Sequence, residues 1–197
     1  GDILFAPEQL AMYPPGYQTF VDVEKLSLRL EGAARPGHFR GVATVVTKLI
    51  NITRPHYAVF GQKDAQQVIV LRRMVRDLDL GVEIIVVPTV REQDGLAMSS
   101  RNVYLTPPQR GEAPVLYRSL RKGENLIRAG ERSAGAVVAA VTAEITGHSS
   151  AAIDYVSVAD AESLDPLSTL SPGTSVLVSL AVRFGATRLI DSIHIRV

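Results

Sequence analysis

Two short polar runs carry the residues in this chain best suited to chemistry. The first is Phe60-Gly61-Gln62-Lys63-Asp64-Ala65-Gln66-Gln67 and the second Leu96-Ala97-Met98-Ser99-Ser100-Arg101-Asn102. The first sits where an apolar strand, Tyr57 to Phe60, turns into an amphipathic helix over about Asp64 to Leu78. The second follows another apolar strand, Val82 to Val87. Such a pair suits a polyphosphate. Gly61 lets backbone approach closely, a helix start offers free N–H groups, and Lys63 and Arg101 bring positive charge. Each run alone is weak: a Ser-Ser-Arg loop is common, and Lys63 could be a solvated lysine. Yet a helix N-terminus disfavours a lysine, so its placement calls for a reason.

The elements that must position these runs read as α/β. A helical pattern over about Gly41 to Asn51 (Val42, Val45, Val46, Leu49, Ile50) is broken by Arg54-Pro55, and Tyr57 to Phe60 then reads as a buried-type strand. The next helix has Val68, Leu71, Val75 and Leu78 inward and Arg72, Arg73 and Arg76 outward, and Leu80-Gly81 ends it. Alternating helices and strands with short joins imply parallel strands and right-handed crossovers. Ligands in open sheets of this kind bind beyond the carboxyl ends of the strands, where both polar runs fall. After about Arg91 the character changes. Thr106 as N-cap, Pro107 at the first helical position and Gln109 closing a capping box start a helix expected to reach about Ala129. A second helix, about Ser133 to Thr146, stops before Gly147. Strands follow at Ile153 to Val158, Ser175 to Val182 and Arg188 to Ile195, with turns at Asp165-Pro166 and Ser171-Pro172-Gly173. This part predicts a small α+β domain with an antiparallel sheet.

Composition excludes more than it selects. The chain has 197 residues, 46% hydrophobic and 21% charged, with a formal net charge of +1. That balance gives no sign of a nucleic-acid or membrane partner. There are no cysteines, so disulfides, thiolate metal sites and a cysteine nucleophile are excluded. No apolar run approaches the roughly 20 residues that span a bilayer, no secretory leader is visible, and a cytoplasmic location is expected. His56, His148 and His194 show no metal-ligand spacing.

The two runs, together with Leu30-Glu31-Gly32-Ala33-Ala34-Arg35-Pro36-Gly37-His38-Phe39-Arg40-Gly41-Val42, Val87-Pro88-Thr89-Val90-Arg91-Glu92, Asp94-Gly95-Leu96-Ala97 and Thr187-Arg188-Leu189-Ile190-Asp191, resemble the pantoate–β-alanine ligases (pantothenate synthetases, AMP-forming). The resemblance covers essentially the whole chain. It implies an incomplete Rossmann-like parallel-sheet nucleotide-binding domain at residues 1–91 and a C-terminal α+β lid at 92–197. The implied activity is ATP-dependent adenylation of pantoate, with Mg²⁺ held through the ATP phosphates, followed by attack of β-alanine. A homodimer is also implied.

Carried over residue by residue, the resemblance assigns Lys63 to charge developing on the phosphates and Asp64 to the ATP ribose. Gly61 and Gln62 contribute backbone; many members carry glutamate at the position of Gln62. Gln67, one turn along from Asp64, is assigned to pantoate. Ser99, Ser100 and Arg101 correspond to a phosphate loop similar in role to the KMSKS signature of class I aminoacyl-tRNA synthetases. Met98 is expected to pack under that loop and Val90 to meet adenine through its main chain. Lys63, Ser99 and Arg101 are the catalytic candidates, and no protein ligand for Mg²⁺ is nominated. His38, with Arg35 and Arg40, could face substrate, a gate or a dimer contact.

The family's opening P-T-M-G-x-L-H-x-G-H motif and its Pro-Met-Gln-Phe segment do not occur in this sequence. The chain therefore reads as the C-terminal part of such an enzyme, carrying part of the active site. The other reading is a non-catalytic fragment acting as a dimerisation or interaction module, and a generic nucleotidyltransferase ranks third. A sheet lacking strands should expose an apolar edge and favour self-association.

Overall fold

A computed structural model describes residues 2–197. In chain order its helices are α1 (Gln9–Met12), α2 (Glu31–Ala34), α3 (His38–Thr53), α4 (Ala65–Asp77), α5 (Pro107–Glu112), α6 (Val115–Arg128) and α7 (Ala134–His148). Its strands are β1 (Tyr57–Gly61), β2 (Glu83–Val87), β3 (Ala152–Asp160), β4 (Ser175–Phe184) and β5 (Thr187–Arg196). The strands form a parallel β1-β2 sheet and an antiparallel sheet ordered β3-β4-β5, so the α/β class with two sheets of different kind holds. Two compact units result: one takes residues up to Ala58 with Val70–Ile84, the other Val59–Ile69 with Ile85–Val197.

In the first unit α3 starts earlier than its apolar period suggests, at His38, after Gly37 adopts a left-handed conformation (φ 78°). The helix stops where expected. Arg54 closes it in the left-handed region (φ 47°) with its N–H on Ile50 O at 2.7 Å, and Pro55 cannot continue it. Thr44 on its buried side accepts from Val21 N–H at 2.9 Å and donates to Arg40 O at 2.7 Å. Arg35 Nη1 donates to His38 Nε2 at 3.1 Å, which commits both to the chain itself. Ile3 and Leu4 are almost fully exposed.

Two strand and helix expectations need correction. β1 is not buried: Tyr57 and Val59 are each 60% exposed, with Ala58 and Phe60 half-buried between them. Its burial alternates, with Tyr57, Val59 and Gly61 on an exposed face and Ala58 and Phe60 on the half-buried one. Leu78 falls outside α4 and is exposed, and Val75 is half-buried; Met74 and Val70 are buried instead. Val68 and Leu71 are buried as expected; the departure lies at the end of the helix, which stops at Asp77 and leaves Leu78 in the turn beyond it.

The second unit is a two-layer sandwich of α6 and α7 on the β3-β4-β5 sheet. Leu116, Leu120 and Ile127 of α6, Val137, Val141 and Ile145 of α7, and Val178, Leu180, Val182 and Phe184 of β4 are all at most 2% exposed. The spacing of four along α7 and of two along β4 is what brings one face of each to the same core. The capping box at Thr106 is present, with Gln109 Oε1 accepting from Thr106 N–H at 3.0 Å. The single helix expected from there to Ala129 is two: Pro114 has no N–H to donate, and the chain breaks between α5 and α6. Gly130 ends α6 with φ 103° as expected. α7 does not stop at Thr146 but runs through Gly147 to His148. Gly123, an awkward residue for a helix interior, has a packing reason: a Cβ there would lie 2.9 Å from Val141 and 3.2 Å from Val137.

The two helices are also tied by charge. Arg118 Nε and Lys122 Nζ donate to Glu144 at 2.7 and 3.0 Å. First the Arg118 bond and then the Lys122 bond pull the Glu144 carboxyl from 4.5 down to about 2. A depressed folded-state value stabilises the fold fully above the unfolded-state value and loses that stabilisation as pH falls from about 4.5 through about 2. Glu144→Gln is expected to flatten this part of the acid limb in urea midpoints measured from pH 5 to 2, within the limits of what Glu92, Asp94 and Asp154, also depressed, contribute.

Candidate functional site

The first polar run follows β1 directly, at the carboxyl end of the strand. Gly61 is extended (φ −83°, ψ 134°), and a Cβ on it would meet nothing within 4 Å. The fold therefore has no need of glycine there. Lys63, in the 3₁₀ turn, is largely covered, with 19% of its side chain accessible; its ion pair with Asp64 is a loose 3.8 Å. Asp64 is exposed, Gln62 half-buried, and Gln67 half-buried one turn into α4.

The second run belongs to a hairpin with a 3₁₀ turn behind it. Arg91 and Ala97 pair as an antiparallel bridge, and Glu92 N–H bonds Leu96 O at 2.8 Å. Gly95 turns the hairpin at φ 92°; a Cβ there would sit 2.6 Å from the Tyr117 ring. Arg91 lies over that ring at 3.8 Å and bonds Asp191 of β5 in bidentate fashion, at 2.6 and 2.9 Å. Arg110 grips the other side, 2.6 Å from both Glu92 and Asp94, and holds both carboxyls below the usual range. Ser99 then caps the turn Ser100–Tyr104, its hydroxyl accepting from Arg101 N–H at 3.2 Å. Asn102 anchors it, donating through Nδ2 to Glu92 Oε1 at 2.9 Å and Ala97 O at 3.1 Å.

Lys63, Ser99, Arg101 and Asn102 line one cleft, together with Arg188 and Asp191 of β5. Ser100 and Arg101 are exposed, so their side chains are available to an anion. Val90 and Met98 meet through the backbone, Met98 N–H to Val90 O at 3.0 Å, and both side chains are exposed, at 65% and 55%. Met98 therefore does not pack under the loop: Leu96 and Ala97 take that buried place. Gln67 is not among the residues lining this cleft. The expectations missed the roles of Arg91, Arg110, Asn102 and Asp191. All but Arg110 lie within the quoted motif blocks, which was the available signal.

Because the fold leaves the space beside Gly61 open, Gly61→Ala is expected to melt at or slightly above the parent temperature, by up to about 1 kcal/mol of added stability. Nucleotide affinity should fall at least about tenfold where a ligand uses that space. Melting curves and MgATP titrations on the same preparation check both halves; an unchanged affinity sinks the close-approach argument.

A family model described as pantoate–β-alanine ligase matches residues 1–194. The pantothenate synthetase of Roseiflexus castenholzii is 61% identical over 192 residues, 97% of this chain and 68% of that sequence. The one from Heliobacterium modesticaldum is 55% identical over 196 residues, 100% of this chain and 69% of that sequence. The crystal structure of pantothenate synthetase from Thermus thermophilus superposes with a TM-score of 0.90 at 48% identity, covering 98% of this chain and 69% of that one. The pantoate–β-alanine ligase of Francisella tularensis, complexed with β-γ ATP and β-alanine, gives 0.67 at 31% identity, covering 93% and 61%. A likeness of this level running through nearly every residue makes the chain a member of the pantoate–β-alanine ligase family.

Proposed function

We propose that this chain acts in the ATP-dependent condensation of pantoate with β-alanine. A pantoate carboxylate oxygen attacks the α-phosphorus of ATP, the α–β anhydride bond breaks and pyrophosphate leaves. The amine of β-alanine then attacks the acyl carbon of the pantoyl-adenylate, loses a proton and forms the amide as AMP departs. Such chemistry needs charge neutralisation on the phosphates and alignment of the reactants, and no protein nucleophile. The observation that carries the reading is the meeting of Lys63 with Ser99 and Arg101 on one cleft. Lys63 and Arg101 offset the negative charge on the departing pyrophosphate, Ser99 and Ser100 bind its oxygens, and the backbone at Gly61, Gln62, Val90 and Met98 holds the nucleotide. Asp64 takes the ribose and Gln67 the pantoate.

Mg²⁺ would be held through the ATP phosphates, where it would offset part of their negative charge. We also infer a division of labour near residue 91, a cytoplasmic setting and a homodimer; exposed Tyr57 and Val59 support self-association. Pantoate-dependent ATP–pyrophosphate exchange tests the activity. Exchange that requires pantoate and is lost in Lys63→Ala is expected, in this chain or with the family's histidine-motif segment added in front of it. Its absence under saturating MgATP in both would overturn the reading.

A further inference from the structure

Ser99 and Arg101 ride on a short 3₁₀ turn, an element too small to hold its own geometry. What ties that turn down is the residue after Arg101. Asn102 Nδ2 gives its two hydrogens to the Glu92 carboxylate and the Ala97 carbonyl, at 2.9 and 3.1 Å. Both partners are acceptors, so the amide has one orientation: turned over, its oxygen would face two oxygens. Oδ1 is therefore fixed, and it is buried with no hydrogen-bond partner among the described residues. A desolvated acceptor left unmade costs stability, and such atoms in a native fold call for an explanation.

Three cationic side chains line the cleft that Asn102 shares: Lys63, Arg101 and Arg188. Arg188 is committed to Asp154 at 2.6 Å, and Arg101 is exposed, on the residue next to Asn102. Lys63 is largely covered and has three N–H donors, with only the 3.8 Å ion pair to Asp64 to occupy them among the described residues. We propose that Asn102 is a positioning residue for adenylation: Nδ2 locks the phosphate loop to the hairpin, and Oδ1 takes a hydrogen bond from the Lys63 ammonium when nucleotide is bound. One amide thereby sets both the ammonium and the Ser99–Arg101 loop relative to the phosphates. The inference rests on the reading that Lys63 and this loop bind the nucleotide.

A double-mutant cycle separates the two. MgATP dissociation constants are measured by calorimetry at fixed ionic strength for the parent, Lys63→Ala, Asn102→Ala and the double variant, with exchange rates and melting curves alongside. Asn102→Ala is expected to weaken binding about tenfold in the parent and by a factor of about three or less once Lys63 is gone. A residue that only braced the loop would cost the same factor in both backgrounds, and that result overturns the inference. Should Asn102→Ala melt below the assay temperature, Asn102→Ser, a smaller excision, completes the same cycle. A parent that binds no MgATP, or a Lys63→Ala variant that binds and exchanges normally, would instead bring down the functional reading on which the inference stands.

Discussion

Lys63→Ala is expected to lower pantoate-dependent ATP–pyrophosphate exchange by roughly 10²–10³-fold, the range seen when one preorganised donor to a developing charge is removed. The side chain is covered but its ion pair is long, so the fold asks little of it. A change within about 0.5 kcal/mol, typical of substitutions that break no structural feature, should move the melting temperature by no more than about 2 °C. Rate loss without stability loss is the signature to look for. Lys63→Arg keeps the charge but exchanges a compact ammonium for a planar fork, and should recover part of the rate. Exchange within about threefold of the parent in Lys63→Ala would remove this lysine from the chemistry. A matching fall in melting temperature would recast it as structural.

The second large effect concerns a residue that touches no substrate in the proposed reaction. Asp191→Ala deletes the buried acceptor of the Arg91 guanidinium and strands a cation whose own side chain is only 16% accessible, against 2% for the carboxylate. Breaking one partner of a buried pair costs about 3–5 kcal/mol. Arg91 keeps its bond to Gly95 O at 3.1 Å and its stacking on Tyr117, so the lower end is expected. For a chain of this length about 3 kcal/mol corresponds to a fall of roughly 6–12 °C in melting temperature. Because the same pair clamps the hairpin that leads into Ser99–Arg101, MgATP affinity should weaken as well, even well below the transition. A melting shift under about 2 °C would mean that water replaces the carboxylate at little cost and the clamp is dispensable.

Both predictions turn on how the two polar runs are held, and here local and long-range information part company. The runs themselves are legible, as are the stop at Arg54-Pro55, the cap at Thr106 and the three closing strands. Each depends on a few neighbouring residues: a missing N–H, a capping side chain, an alternation of period two. The errors come where packing overrides local preference. Leu78 faces inward by period yet is exposed, because α4 stops at Asp77 and Leu78 lies in the turn that follows. The helix expected across Pro114 breaks there, while Gly147, expected to end α7, does not.

The sequence by itself determined which side chains could meet a polyphosphate and the elements that carry them, since motif spacing and periodicity are properties of neighbouring residues. Only the tertiary structure decided that Arg91 would be held by Asp191, one hundred positions away, and that Asn102, with a buried and unpartnered Oδ1, would line the same cleft as Lys63. The physical reason is register. Which residue of β5 faces the hairpin follows from how that strand pairs with β4 and which of its faces α6 and α7 cover. A shift of one residue would send Asp191 to the opposite face.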